Sequence, residues 1–175
     1  MTLKKIRAMT QYQPNKVVDV KTATRNWLRG KANDYPVALT LTLKQTLVED
    51  TDRGRVYRTL QREDCERIVQ RFQQKLNRAV LGRRAAEKYG KRLRYLAVLE
   101  GERSNKQLHI HMALGNIPQH IRLNQLPSLI VEAKRTVKHI DEEYNVQIAD
   151  SGWFDYITKE TARTHTDNVL WQLMT

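Results

Sequence analysis

Over residues 107–115 apolar and polar side chains alternate: Leu108, Ile110, Met112 and Leu114 are interleaved with His109 and His111. A period of two belongs to a β-strand, whose successive side chains point to opposite faces of the sheet. One face of this strand is made for burial. The other presents two imidazoles at successive same-side positions, with a rigid ladder fixing their spacing, so that both can reach one divalent cation. A His-x-His pair also occurs by chance, as two hydrogen-bonded histidines on a half-buried strand, so its neighbours decide between the two readings.

Residues 37–43 carry apolar side chains at every odd position and Thr40 and Thr42 between them, a second strand. The polar run 49–54 reads as a turn and 55–60 as the returning arm of a hairpin. From about 62 to 88, Cys65, Ile68, Val69, Phe72, Leu76, Ala79 and Val80 recur at steps of three and four, which predicts a helix with one buried stripe. Residues 92–100 alternate again, placing Leu93, Tyr95, Ala97 and Leu99 on one face and Arg92, Arg94, Leu96, Val98 and Glu100 on the other. A turn over 101–106 pairs this strand antiparallel with the histidine strand, with Glu100 across from the imidazoles. A second amphipathic helix is expected over 124–139, a short strand at 146–148, and the first turns of a helix over 153–160 with Asp150 or Ser151 as its cap. Trp153 and Phe154 read as core anchors of that helix. The chain is expected to form one domain over 1–175, with 1–33 a basic arm containing a short helix at 20–29 anchored by Trp27 and Leu28. The tail 165–175 is expected to fold back with Val169, Leu170, Trp171 and Leu173 facing inward.

These elements predict an α+β fold, a central antiparallel sheet of about five strands flanked by helices, with its polar face open. The chain has 31 Lys and Arg against 19 Asp and Glu, a formal net charge of +12. Such an excess attracts polyanions, nucleic acid first. The open face is then a floor for a nucleic-acid strand, with Thr40, Thr42, Arg92 and Arg94 as DNA-binding candidates. No long apolar run or terminal leader pattern is present, which argues against a membrane partner and for a cytoplasmic protein. Cys65 is the sole cysteine, so neither an intrachain disulfide nor a cysteine zinc site is expected.

Two histidines and a carboxylate make a mixed nitrogen and oxygen donor set suited to Mn²⁺ or Mg²⁺ beside phosphate oxygens. Tyr156 and Lys159, three apart on a helix, project from one face. An ammonium beside a phenol favours the nucleophilic phenolate.

The segment Leu108-His109-Ile110-His111-Met112-Ala113-Leu114, preceded by Leu39-Thr40-Leu41-Thr42 and followed by Tyr156-Ile157-Thr158-Lys159, resembles the three ordered motifs of HUH endonucleases. The likeness is to rolling-circle replication initiator (Rep) nickases of the single-tyrosine class, and it spans 37–160. The resemblance implies a five-stranded sheet, a metal held by His109, His111 and Glu100, with Glu102 the alternative acid, and Tyr156 as nucleophile with Lys159 beside it. The reaction it implies leaves a 5′-phosphotyrosine and a 3′-OH on single-stranded DNA at a replication origin of a plasmid or phage. Tyr144 is too distant in sequence to form a tandem pair. No Gly-x-x-x-x-Gly-Lys-Ser/Thr occurs, so no attached helicase is expected and a host helicase and polymerase would be partners; no small-molecule cofactor is implied. His120, His139 and His165 have no comparable company. A single-tyrosine transposase or small relaxase would use the same residues, and a noncatalytic nucleic-acid-binding domain would keep the basic face alone.

Overall fold

The computed structural model describes residues 19–102, 107–150, 152–161 and 167–175. The basic segment 1–18 of the expected arm, turn residues 103–106, the alternative cap Ser151 and His165 lie outside the described residues. The elements are α1 (Val20–Gly30), β1 (Val37–Leu43), β2 (Thr46–Thr51), β3 (Gly54–Thr59), α2 (Arg62–Leu81), β4 (Arg94–Glu100), β5 (His109–Gly115), α3 (Leu126–Lys134), β6 (Ile140–Ile148) and α4 (Trp153–Ile157).

β4, β5, β1 and β6 form an antiparallel sheet in that order, and β2 pairs only with β3 in a separate hairpin. The sheet of about five strands is therefore four-stranded among the described residues. Its β1–β6 ladder shifts register between Leu41 and Leu43, and the chain leaves the sheet after Lys44 bonds the His139 carbonyl. The arm 55–60 accordingly returns along 46–51, and residues 49–51 are strand rather than turn. The C-terminal tail takes the place beside β4's free edge: Val169 bridges Val98, and the Leu99 and Leu170 amides donate to the Asn168 and Ala97 carbonyls.

The helix expected over 62–88 ends at Leu81, because Gly82 adopts φ +81°, a left-handed conformation that glycine takes without penalty. Arg84–Lys88 then forms one wide turn. The helix expected over 124–139 is shorter, Leu126–Lys134, and the strand expected at 146–148 is longer, Ile140–Ile148.

On one face of the sheet Leu39, Leu41, Leu99, Ile110 and Met112 pack with α2 and α3 in the main core. The opposite face is not open as expected. Its apolar half, formed by Ala38, Leu96, Val98 and Ala113, lies under Leu28 of α1, Trp153, Phe154 and Ile157 of α4, and Val169 of the tail. Continuing each strand by the same period of two gives the polar half of that face: Thr40 and Thr42 on β1, His109 and His111 on β5, and Glu100 on β4. Close packing of the covering layer is visible at Gly115, where a Cβ would stand 1.8 Å from the Asp34 carbonyl oxygen.

Candidate active site

The strand register assembles the polar end. Glu100 stands opposite His109 and Val98 opposite His111, while on the other side Thr42 and Thr40 face the same two histidines. His111 is buried, with Nε2 2.5 Å from Glu100 Oε2 and Nδ1 3.0 Å from Thr40 Oγ1. Burial pushes its pKa below the ordinary histidine value despite the opposing pull of Glu100, so the ring is neutral at pH 7. His109 is half-exposed and donates from Nδ1 to the Gln107 carbonyl at 2.7 Å, which leaves its Nε2 as the lone-pair nitrogen. The two rings lie nearly parallel with centroids 6.3 Å apart.

α4 brings the tyrosine to this place. Asp150 Oδ1 accepts from the Trp153 amide at 2.9 Å and starts the helix, as the sequence suggests. Trp153, Phe154 and Ile157 point into the second core, so Tyr156 faces outward, 46% exposed. Its ring is 5.1 Å from the His111 ring, edge to face, and stacks on Trp153 at 5.6 Å. α4 ends at Ile157, but the Lys159 amide bonds the Tyr156 carbonyl and the next turn keeps the two side chains together. Lys159 Nζ lies 3.7 Å from the Tyr156 ring centroid and 2.8 Å from Glu100 Oε1.

Burial would raise the Glu100 carboxyl, but its bonds to Lys159 and His111 outweigh this and hold it below the usual range. Burial would likewise lower Lys159, yet Glu100 first and Tyr156 next raise it, so the side chain is an ammonium at neutral pH. The cluster is thus a neutral imidazole, a carboxylate and an ammonium beside a solvent-facing phenol.

Glu102 points elsewhere, to Arg62 at 3.1 Å, which leaves Glu100 as the acid in contact with the histidines. Thr42 is buried, and Thr40 is engaged by His111. Arg92 and Arg94 stand at the other end of β4, about 20 Å from Glu100 at the rise of a strand. There Arg92 bonds the Ala86 and Lys91 carbonyls, and Arg94 pairs with Asp34 at 3.0 Å. Tyr144 packs under Lys134, whose ammonium is 4.7 Å from its ring centroid.

Sequence reasoning missed how α1 meets the tyrosine helix. Lys21 Nζ bonds the Lys159 carbonyl at 2.7 Å, Arg25 Nε lies 3.2 Å from Asp155, and Arg29 donates to Asp155 at 3.0 Å. The spacing Lys21, Arg25, Arg29, one helical face, is the signal that was available.

Among the described residues no group of three His, Cys, Asp or Glu side chains is placed to hold an ion as it stands. Lys159 Nζ rests on the carboxylate that would complete such a group. The donor types nevertheless suit a hard divalent cation, two imidazoles and an ionised carboxylate on adjacent strand positions. No helix among the described residues is long and apolar enough to cross a membrane.

Comparison with curated proteins and with solved structures finds no match. The family model described as Replication-associated protein ORF2 matches residues 36–165, a range that runs from the start of β1 past Tyr156 and Lys159, and the chain belongs to that replication-associated family.

Proposed function

We propose that this chain is a metal-dependent, site-specific nickase and strand-joining enzyme of the HUH type, single-tyrosine class, that initiates rolling-circle replication of a plasmid or phage. One observation carries the reading: Lys159 Nζ touches both Glu100 and the Tyr156 ring, and that ring lies against His111. A lone phenol is a poor nucleophile at neutral pH, and an ammonium on its face offsets the charge of the phenolate. Tyr156 Oη attacks a phosphorus of single-stranded DNA. The bond from that phosphorus to the upstream 3′ oxygen breaks, and the oxygen leaves with the electron pair and takes a proton to become a 3′-OH. The downstream strand stays on the protein as a 5′-phosphotyrosine. Attack by a 3′-OH reverses the exchange and rejoins DNA without ATP.

His109, His111 and Glu100 would hold Mn²⁺ or Mg²⁺, which supplies charge neutralisation at the phosphate oxygens. A His111 ring that ligates through Nε2 carries its proton on Nδ1, and Thr40 accepts it, because a hydroxyl serves either as donor or as acceptor. The DNA partner is a single-stranded replication origin, with a host helicase and polymerase supplying unwinding and synthesis.

The test is a labelled, random-sequence pool of single-stranded oligonucleotides incubated with the protein and Mn²⁺. The wild type should yield a protein–DNA adduct that survives denaturation, and Tyr156→Phe should yield none. An adduct from Tyr156→Phe would show that another residue is the nucleophile. No adduct from the wild type, with binding intact, would favour a noncatalytic binding domain.

A further inference from the structure

Between α2 and β4 the segment 83–94 carries Arg83, Arg84, Lys88, Lys91, Arg92 and Arg94 against the single acid Glu87. That acid is taken up by Arg78 at 2.6 Å and Arg83 at 2.9 Å. Arg84, Lys88 and Lys91 are exposed and have no carboxylate partner among the described residues. Instead Arg84 and Lys88 both stand over the ring of Tyr89, 5.7 and 5.9 Å from its centroid, and Arg84 donates to the Tyr89 hydroxyl at 3.2 Å. The ring is 58% exposed, so the cations it gathers face solvent.

The loop is also ordered by its own backbone. The Lys91 amide bonds the Ala85 carbonyl at 3.0 Å, and Arg92 spans the turn to the Ala86 carbonyl. Holding like charges around one ring costs repulsion that cation–π attraction only partly offsets, and an anion placed among them relieves it. Because its own cations already contact the ring, Tyr89 organises charge instead of offering a bare stacking face. The loop sits at the end of β4 away from Glu100, beyond Arg94 and hence more than about 20 Å from the catalytic cluster, equal to roughly six base pairs along a duplex.

We propose that this loop is a second DNA contact, gripping the phosphate backbone of duplex DNA that flanks the reacting single strand. The inference rests on the reading of DNA as substrate, and its test separates the two. Wild type and a triple variant, Arg84→Gln with Lys88→Gln and Lys91→Gln, are titrated with a random-sequence duplex of about 30 base pairs over a range of salt. A second triple variant, Arg122→Gln with Arg135→Gln and Lys138→Gln, removes the same formal charge elsewhere and serves as control.

The loop variant should bind the duplex about tenfold more weakly, with the slope of log affinity against log salt reduced by about 2 to 3. The control should keep most of both. Affinity for a single strand of equal length and the rate of adduct formation on the single-stranded pool should stay at wild-type values in the loop variant. Wild-type thermal unfolding in both variants checks that the fold is intact. An unchanged duplex slope, or equal losses in the control, would overturn the proposal. So would a loss confined to single strands, or a matching loss of adduct. Absence of any wild-type adduct, with loop-dependent duplex binding preserved, would overturn the nickase reading alone.

Discussion

Glu100 is the residue on which the proposed chemistry turns, because it meets His111 through one oxygen and Lys159 through the other. Glu100→Gln removes the charge that holds the Lys159 ammonium without removing the side chain's volume. Adduct formation should fall by at least about a hundredfold, the scale of a positioned catalytic group. Affinity for single-stranded DNA should hold or rise, since a negative charge near phosphate is lost. His109→Ala and His111→Ala should also abolish cleavage with binding largely kept, measured by the adduct assay beside fluorescence anisotropy; full cleavage in either would remove that imidazole from the site. The pairing of Glu100 with His109 follows from the alternation at 92–100 and 107–115, since a hairpin of that register leaves little choice. The contact of Tyr156 with His111 does not follow, because it joins residues 45 positions apart, 156 against 111, through packing that no local pattern encodes. Nor does the engagement of Thr40 by His111, because a threonine at an even strand position reads equally as a DNA contact.

At the scale of elements, legibility tracks hydrophobic period. β1 is legible to the residue, since Val37, Leu39, Leu41 and Leu43 alternate with smaller or polar side chains. Only three residues of β6's nine are legible, because Asp141, Glu142 and Glu143 obscure the alternation on an outer strand where exposed charge blocks further pairing. The N-terminus of α2 carries a device the sequence only hints at: Asp64 accepts from the Gln61 amide at 3.0 Å and from Arg58 and Arg67 at 2.5 Å each. The Arg58 guanidinium, helped by the amide and Arg67, holds its carboxyl well below the usual range. A depressed carboxyl contributes its full stability above the unfolded-state value of about 4 and loses it as pH falls toward the native value. Asp64→Asn should therefore lower stability by about 2 kcal/mol at pH 7. The gap from wild type should narrow in denaturant titrations below about pH 4, and a gap independent of pH would point to lost packing instead.

The whole molecule has two layers of unequal strength on one sheet, and the proposed nucleophile belongs to the weaker. The main core takes in α2, α3 and one face of β1, β4 and β5, whereas the second core is small and rests on Leu28, Trp153, Phe154 and a few strand residues. The ion pairs from Arg25 and Arg29 to Asp155 are partly exposed, and such pairs add little to stability. Leu28, fully buried, is then the main tie between α1 and the tyrosine helix. Regions with few buried apolar contacts open at a lower free energy than the global transition. Amides of α1 and α4 should accordingly exchange with solvent before those of β1 and β5. Leu28→Ala, with a cost of about 2 to 5 kcal/mol, should fall mainly on that local opening, whereas Phe72→Ala, about 3 to 5 kcal/mol, should fall on global unfolding. Hydrogen exchange on the two variants distinguishes these outcomes: Leu28→Ala should raise exchange in α1 and α4 and depress adduct formation while β5 stays protected. Uniform loss of protection in both variants would mean that the two layers unfold as one, and that Tyr156 is held as firmly as the histidines beneath it.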